Sequence, residues 1–89
     1  MLNKRIMIVN KLGLHARAAA KFVSHASRFG CKIDIRREEQ AVNGKSIMGV
    51  MTLAASKGSE IELEISGDDE QAAMDDLTDL INDKFGEDE

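Results

Sequence analysis

The chain has 89 residues, which accommodates one small domain, residues 1–89, and leaves no room for a second core. With 43% hydrophobic and 31% charged residues it is too apolar to be disordered. The net charge of -4 conceals a division: residues 1–45 carry ten Lys/Arg against three Asp/Glu, and residues 46–89 carry two against thirteen.

Arg5–Val9 is β-branched and apolar and predicts a first strand. Asn10 to His15 follows as a loop, with Gly13 as its breaker. From Ala16 to about Ser27, Ala16, Ala19, Ala20, Val23 and Ala26 recur at helical spacing. They predict a helix with that apolar face, with Arg17, Lys21, Ser24 and Arg28 opposite and Gly30 as its stop. Lys32–Arg36 alternates apolar and polar residues as a half-buried strand does, and Gln40–Asn43 is a weaker strand running into Gly44. Ser46 is placed to cap a short apolar helix reaching about Leu53, with Val50, Leu53 and Ala54 toward the core. Glu60–Ile65 alternates again. Asp68-Asp69-Glu70 opens a last helix that buries Ala73, Met74, Leu77, Leu80, Ile81 and Phe85 and stops at Gly86.

The order β-α-β-β-α-β-α, with three half-polar strands, predicts an α+β fold in which an antiparallel sheet is covered by helices on one face. The acidic half is expected to form a far strand and the last helix, away from the basic half. A charge division of this kind points to a charged partner surface on one side.

Several function classes are disfavoured. The longest apolar runs fall far short of the ~20 residues that cross a bilayer, so membrane insertion is not expected. The N-terminus leads into no secretory h-region, and the single cysteine, Cys31, fits a reducing compartment; the expected location is the cytoplasm. His25 and Cys31 have no metal-site spacing, so no metal and no cofactor are expected. Gly44-Lys45-Ser46 would need a glycine at position 39 to make a phosphate-binding P-loop, and Glu39 stands there. Stacking aromatics are lacking, which argues against nucleic acid.

His15 is the residue best placed for chemistry. It stands immediately before a helix, whose first N–H groups are unpaired and attract an anion, and Arg17 adds a full positive charge nearby. Such a site can hold a phosphoryl group, with the imidazole as nucleophile. Spacing alone leaves this open against a surface histidine that merely precedes a helix. His25, on the polar side of the same helix, is expected to be solvated. Ile47, Met48 and Met51 form an apolar arc beside the core-facing one, either packed inside or exposed to partners.

The run Asn10-Lys11-Leu12-Gly13-Leu14-His15-Ala16-Arg17 closely resembles the HPr family, the histidine phosphocarriers of the bacterial phosphoenolpyruvate-dependent phosphotransferase system. Asn43 to Met51 resembles the family's serine-site signature at its proper distance. The resemblance covers essentially the whole chain. It implies an open-faced β-sandwich, with a four-stranded antiparallel sheet of order 1-4-2-3 beneath three helices. It implies that His15 accepts the phosphoryl group on Nδ1, steadied by Arg17 and by the amides of Ala16 and Arg17. Ser46 resembles the serine that an HPr serine kinase/phosphorylase modifies in part of the family. Ala20, Lys21, Ile47, Met48 and Met51 match the docking surface for enzyme I and EIIA-type acceptors. The implied protein is a monomeric carrier rather than a turnover enzyme.

Two features depart from the commonest pattern. Ala18 stands where the motif usually has proline, a change expected to cost rigidity before chemistry. The Phe85–Glu89 extension and Ala18-Ala19-Ala20 resemble NPr, the nitrogen-branch carrier, which is favoured over a sugar-branch HPr. The alternative function is a regulatory binding module whose docking is set by phosphorylation of Ser46.

Overall fold

Alternate burial along the strands divides the sheet into a dry and a wet face. In the strand Glu60–Ser66, Ile61, Leu63 and Ile65 are buried, and the glutamates between them face outward. The computed structural model describes residues 1–89. In chain order it contains β1 (Leu2–Met7), α1 (Ala16–Ala26), β2 (Lys32–Arg37), β3 (Gln40–Asn43), α2 (Ile47–Thr52), β4 (Glu60–Ser66) and α3 (Glu70–Asn82), followed by a 3-10 turn at Lys84–Gly86.

The strands form one antiparallel sheet in the order β1-β4-β2-β3. Register sets like rows together. Ile6 opposes Ile61 while Ile33 and Ile35 oppose Ile65 and Leu63, so the branched side chains stack on the dry face. On the wet face Glu62 lies between Arg5 and Arg36. The acidic strand β4 is therefore central rather than distant. Paired with both β1 and β2, it has Arg5 on one side and Arg36 on the other, and these reach Glu60 at 4.0 Å and Glu64 at 3.6 Å.

α1 buries Ala18, Ala19, Phe22 and Ala26, and leaves Ala16 and Ala20 exposed, which corrects the expected apolar face. An aromatic ring removes far more apolar area from water than an alanine methyl, so Phe22 sets the rotation of the helix. α1 ends at Ala26, before Gly30. Gly30 is not in the left-handed region; instead its N–H and that of Cys31 donate to the Asp69 carboxylate at 2.9 and 3.1 Å. Those donors, the Gly30 amide foremost, hold the Asp69 carboxyl below its ordinary pKa.

α2 buries Val50, with Leu53 beneath its end, whereas Ala54 is exposed and Ala55 takes the buried place. His25 is not simply solvated: its Nδ1 lies 2.8 Å from Asp76 Oδ2, linking α1 to α3. Phe85 is fully buried although it lies beyond α3. Lys84 and Phe85 adopt φ of 57° and 56°, which turns the chain back across the molecule. No helix is long and apolar enough to cross a membrane.

Candidate phosphoryl-carrier site

His15 owes its position to the loop between β1 and α1. Asn10 is fully buried, and its Nδ2 donates to the Gly13 carbonyl at 2.8 Å, closing the loop on itself. Gly13 has φ +67°, and a Cβ there would lie 2.4 Å from the Ala55 carbonyl oxygen. The Leu14 N–H donates to that same oxygen at 2.8 Å while its side chain is buried. His15 is thus held extended (φ -74°, ψ 178°) as the N-cap of α1, with no side-chain bond to the helix.

The first bond of the helical ladder runs from the Ala19 N–H to the His15 carbonyl at 2.8 Å. The amides of Ala16, Arg17 and Ala18 precede that ladder, and at a helix N-terminus such groups favour an anion. Arg17 is exposed, engaged in no ion pair, and lines the same shallow cleft as Lys11, His15 and Lys21. Ala18 lies fully buried beneath them.

The acidic tail returns to this cleft, contrary to the expectation that the acidic half stays away from it. Three attachments bring it there. Phe85 is buried, the Lys21 Nζ donates to the Phe85 carbonyl at 2.6 Å, and Gly86 takes φ +76°. Further on, the Lys11 N–H donates to the Glu89 carbonyl at 2.5 Å, and its Nζ pairs with the Glu89 carboxylate at 3.2 Å. Glu87 Oε2 consequently lies 2.5 Å from His15 Nε2, and Glu87 Oε1 accepts from Asn10 Nδ2 at 3.0 Å. Burial acts to raise the Glu87 pKa, but hydrogen bonds from Asn10 and His15 and the charges of His15 and Lys21 outweigh it; the carboxyl is held below its ordinary value.

The serine-site segment lies on the neighbouring helix, since α1 and α2 pack together. Ser46 is the N-cap of α2, and its Oγ accepts from the Gly49 N–H at 3.1 Å. Ile47, Met48 and Met51 are 44%, 78% and 41% exposed, so this arc faces solvent rather than packing inside. Ala20 is exposed as well, whereas Lys21 is partly buried with its Nζ committed to the tail. Glu87, Asn10 and the anchoring role of Phe85 were missed in the sequence. The available signal was an aromatic residue, one of only three, followed directly by glycine after the last helix.

A histidine held at the head of a surface helix on an open-faced sandwich, in a shallow charged cleft, has the layout of a group carrier. The model of the family described as "PTS-HPr: PTS HPr component phosphorylation site" matches residues 2–83. The phosphocarrier protein HPr of Neisseria meningitidis serogroup A is 57% identical over the full length of both chains, and that of Pseudomonas putida is 53% identical over 97% of each. The crystal structure of HPr-C-His from Thermoanaerobacter tengcongensis is similar with a TM-score of 0.96 at 48% identity, covering all of both chains. The chain belongs to the HPr family of the phosphotransferase system: it is a phosphocarrier and not a turnover enzyme.

Proposed function

We propose that His15 is the phosphoryl acceptor of this carrier, charged on Nδ1 by an enzyme I that has reacted with phosphoenolpyruvate and discharged to an EIIA-type protein. The observation that carries this reading is the placement of His15 as the N-cap of α1, with no side-chain bond to the helix and with Arg17 free beside it. The Ala16 and Arg17 amides and the Arg17 guanidinium are the groups that would steady a phosphoryl dianion there. Incubation with phosphoenolpyruvate and the cognate enzyme I is expected to give an acid-labile adduct that is absent from His15→Ala. An adduct persisting in that variant overturns the assignment.

The partners proposed are acidic proteins with an apolar contact, docking on Ala20, Lys21, Ile47, Met48 and Met51. Ser46 is proposed as a regulatory phosphorylation site, and the cytoplasm as the location. The nitrogen branch is favoured by Ala18 and by the tail from Phe85 onward; the relatives reported above carry the name HPr. Relative rates with a nitrogen-type and a sugar-type enzyme I decide between the branches. Faster charging by the sugar-type enzyme overturns the nitrogen-branch reading.

A further inference from the structure

We propose that Glu87 is a positioning residue for phosphoryl transfer: by accepting a hydrogen bond from His15 Nε2 it fixes the imidazole tautomer that presents Nδ1 as the nucleophile. The inference rests on the reading of His15 as phosphoryl acceptor. Its starting point is a three-part chain, in which Asn10 Nδ2 meets Glu87 Oε1 at 3.0 Å and Glu87 Oε2 meets His15 Nε2 at 2.5 Å.

The direction of each bond follows from the groups present. Asn10 Nδ2 has two hydrogens and two acceptors, the Gly13 carbonyl at 2.8 Å and the Glu87 carboxylate. Turning that amide round would set its oxygen against two acceptors, so the orientation shown is the one that chemistry allows. The anchored carboxylate is acceptor-only, and the proton between it and His15 belongs to Nε2. In a neutral imidazole one nitrogen carries the hydrogen and the other the lone pair, so Nδ1 is left free to attack.

The tail is built to hold this contact. Phe85 is fully buried, Lys21 ties its carbonyl to α1, and only 14% of the Glu87 side chain is exposed. A flexible surface glutamate would lose rotamer entropy on pairing and contribute little. Here the backbone and the Asn10 bond have already fixed the carboxylate before the partner arrives.

The chemistry supplies a second reason for a carboxylate. In charging, the Nδ1 lone pair forms the bond to phosphorus while the bond from phosphorus to the donor atom breaks, its electron pair leaving with the donor. The Nε2 hydrogen stays in place. The ring therefore passes from neutral imidazole to phosphoimidazolium and gains a positive charge beside the Glu87 carboxylate. A half-buried, anchored carboxylate behind a reacting histidine stabilises that charge and keeps the tautomer, as the acidic member of a catalytic triad does. Onward transfer reverses the step and returns the ring to neutrality with the same hydrogen on Nε2.

The test pairs nitrogen NMR of the histidine rings, recorded at alkaline pH, with initial rates of charging by phosphoenolpyruvate and cognate enzyme I. It uses the full chain as wild type, Glu87→Gln and Glu87→Ala, with thermal melts to establish that each is folded. The wild type is expected to carry its hydrogen on Nε2. Glu87→Gln, with one amide oxygen to share between Asn10 and His15, should hold that tautomer less firmly and charge more slowly for want of the negative charge. Glu87→Ala should show mixed tautomers and a fall in rate of about tenfold. A wild-type tautomer and rate in Glu87→Ala, or a wild type with its hydrogen on Nδ1, overturns the role of Glu87 and leaves the carrier function standing. A wild type that forms no His15 adduct overturns both.

Discussion

Glu87 shows how one side chain ties stability to pH. The groups facing it are Asn10 and His15 from the loop before α1 and Lys21 from α1, and their hydrogen bonds and charges outweigh its burial to hold its pKa below the ordinary value. The folded state thus binds its proton less readily than the unfolded chain. The stabilisation is fully present above the unfolded value of about 4.3 and is lost as pH falls through the lower folded value. Thermal melts of wild type and Glu87→Gln should differ by a constant amount near neutrality, and the gap should close below about pH 4. A gap that stays open far below about pH 4 would contradict this. Gly13 belongs to the same scale. Its left-handed φ costs a Cβ-bearing residue about 1–2 kcal/mol, and the added Cβ would also meet the Ala55 oxygen at 2.4 Å. Gly13→Ala should lower the unfolding free energy by at least about 2 kcal/mol in urea titration, because backbone on both sides leaves little room to relax.

At the scale of the element, α2 is a single short helix whose start depends on Ser46. The Ser46 Oγ accepts from the Gly49 N–H at 3.1 Å, so Ser46→Ala should cost about 1 kcal/mol and lower the melting temperature by several degrees. Ser46→Asp keeps an acceptor at the cap and places negative charge where the helix dipole favours it; its melting temperature should stay near wild type. Charging by enzyme I should nevertheless fall in Ser46→Asp, through repulsion of an acidic partner. An unchanged rate would leave Ser46 without a regulatory role. The elements differ in how far they were legible. The alternation of Glu60–Ile65 named a strand and its buried face because a period of two has one solution in a one-sided sheet. The apolar face of α1 was misplaced because counting alanines overlooked Phe22, whose area decides the rotation. The tail contact was invisible for a different reason. His15 and Glu87 are 72 residues apart, and what joins them is a left-handed turn at Lys84 and Phe85, held by the burial of Phe85 and the Lys21 bond to its carbonyl.

At the scale of the whole molecule, the charge division does not survive folding intact. Lys11, Arg17 and Lys21 share one cleft with Glu87, Asp88 and Glu89, so the tail offsets part of the positive field that an acidic partner would meet. Arg17 remains the unpaired cation at the centre, and the exposed Ile47, Met48 and Met51 supply apolar area on the adjoining helix. Steering by opposite charges acts mainly on association and is screened by salt, whereas an apolar contact is not. Two variants separate these contributions. Arg17→Ala should reduce the charging rate and flatten its dependence on ionic strength. Met48 is 78% exposed, so Met48→Asp should leave the melting temperature nearly unchanged. It should still slow charging by about tenfold or more, since it sets a charge against an apolar and acidic face. Stopped-flow charging at low and high salt measures both effects. Equal rates for Met48→Asp and wild type at every salt concentration would remove α2 from the contact.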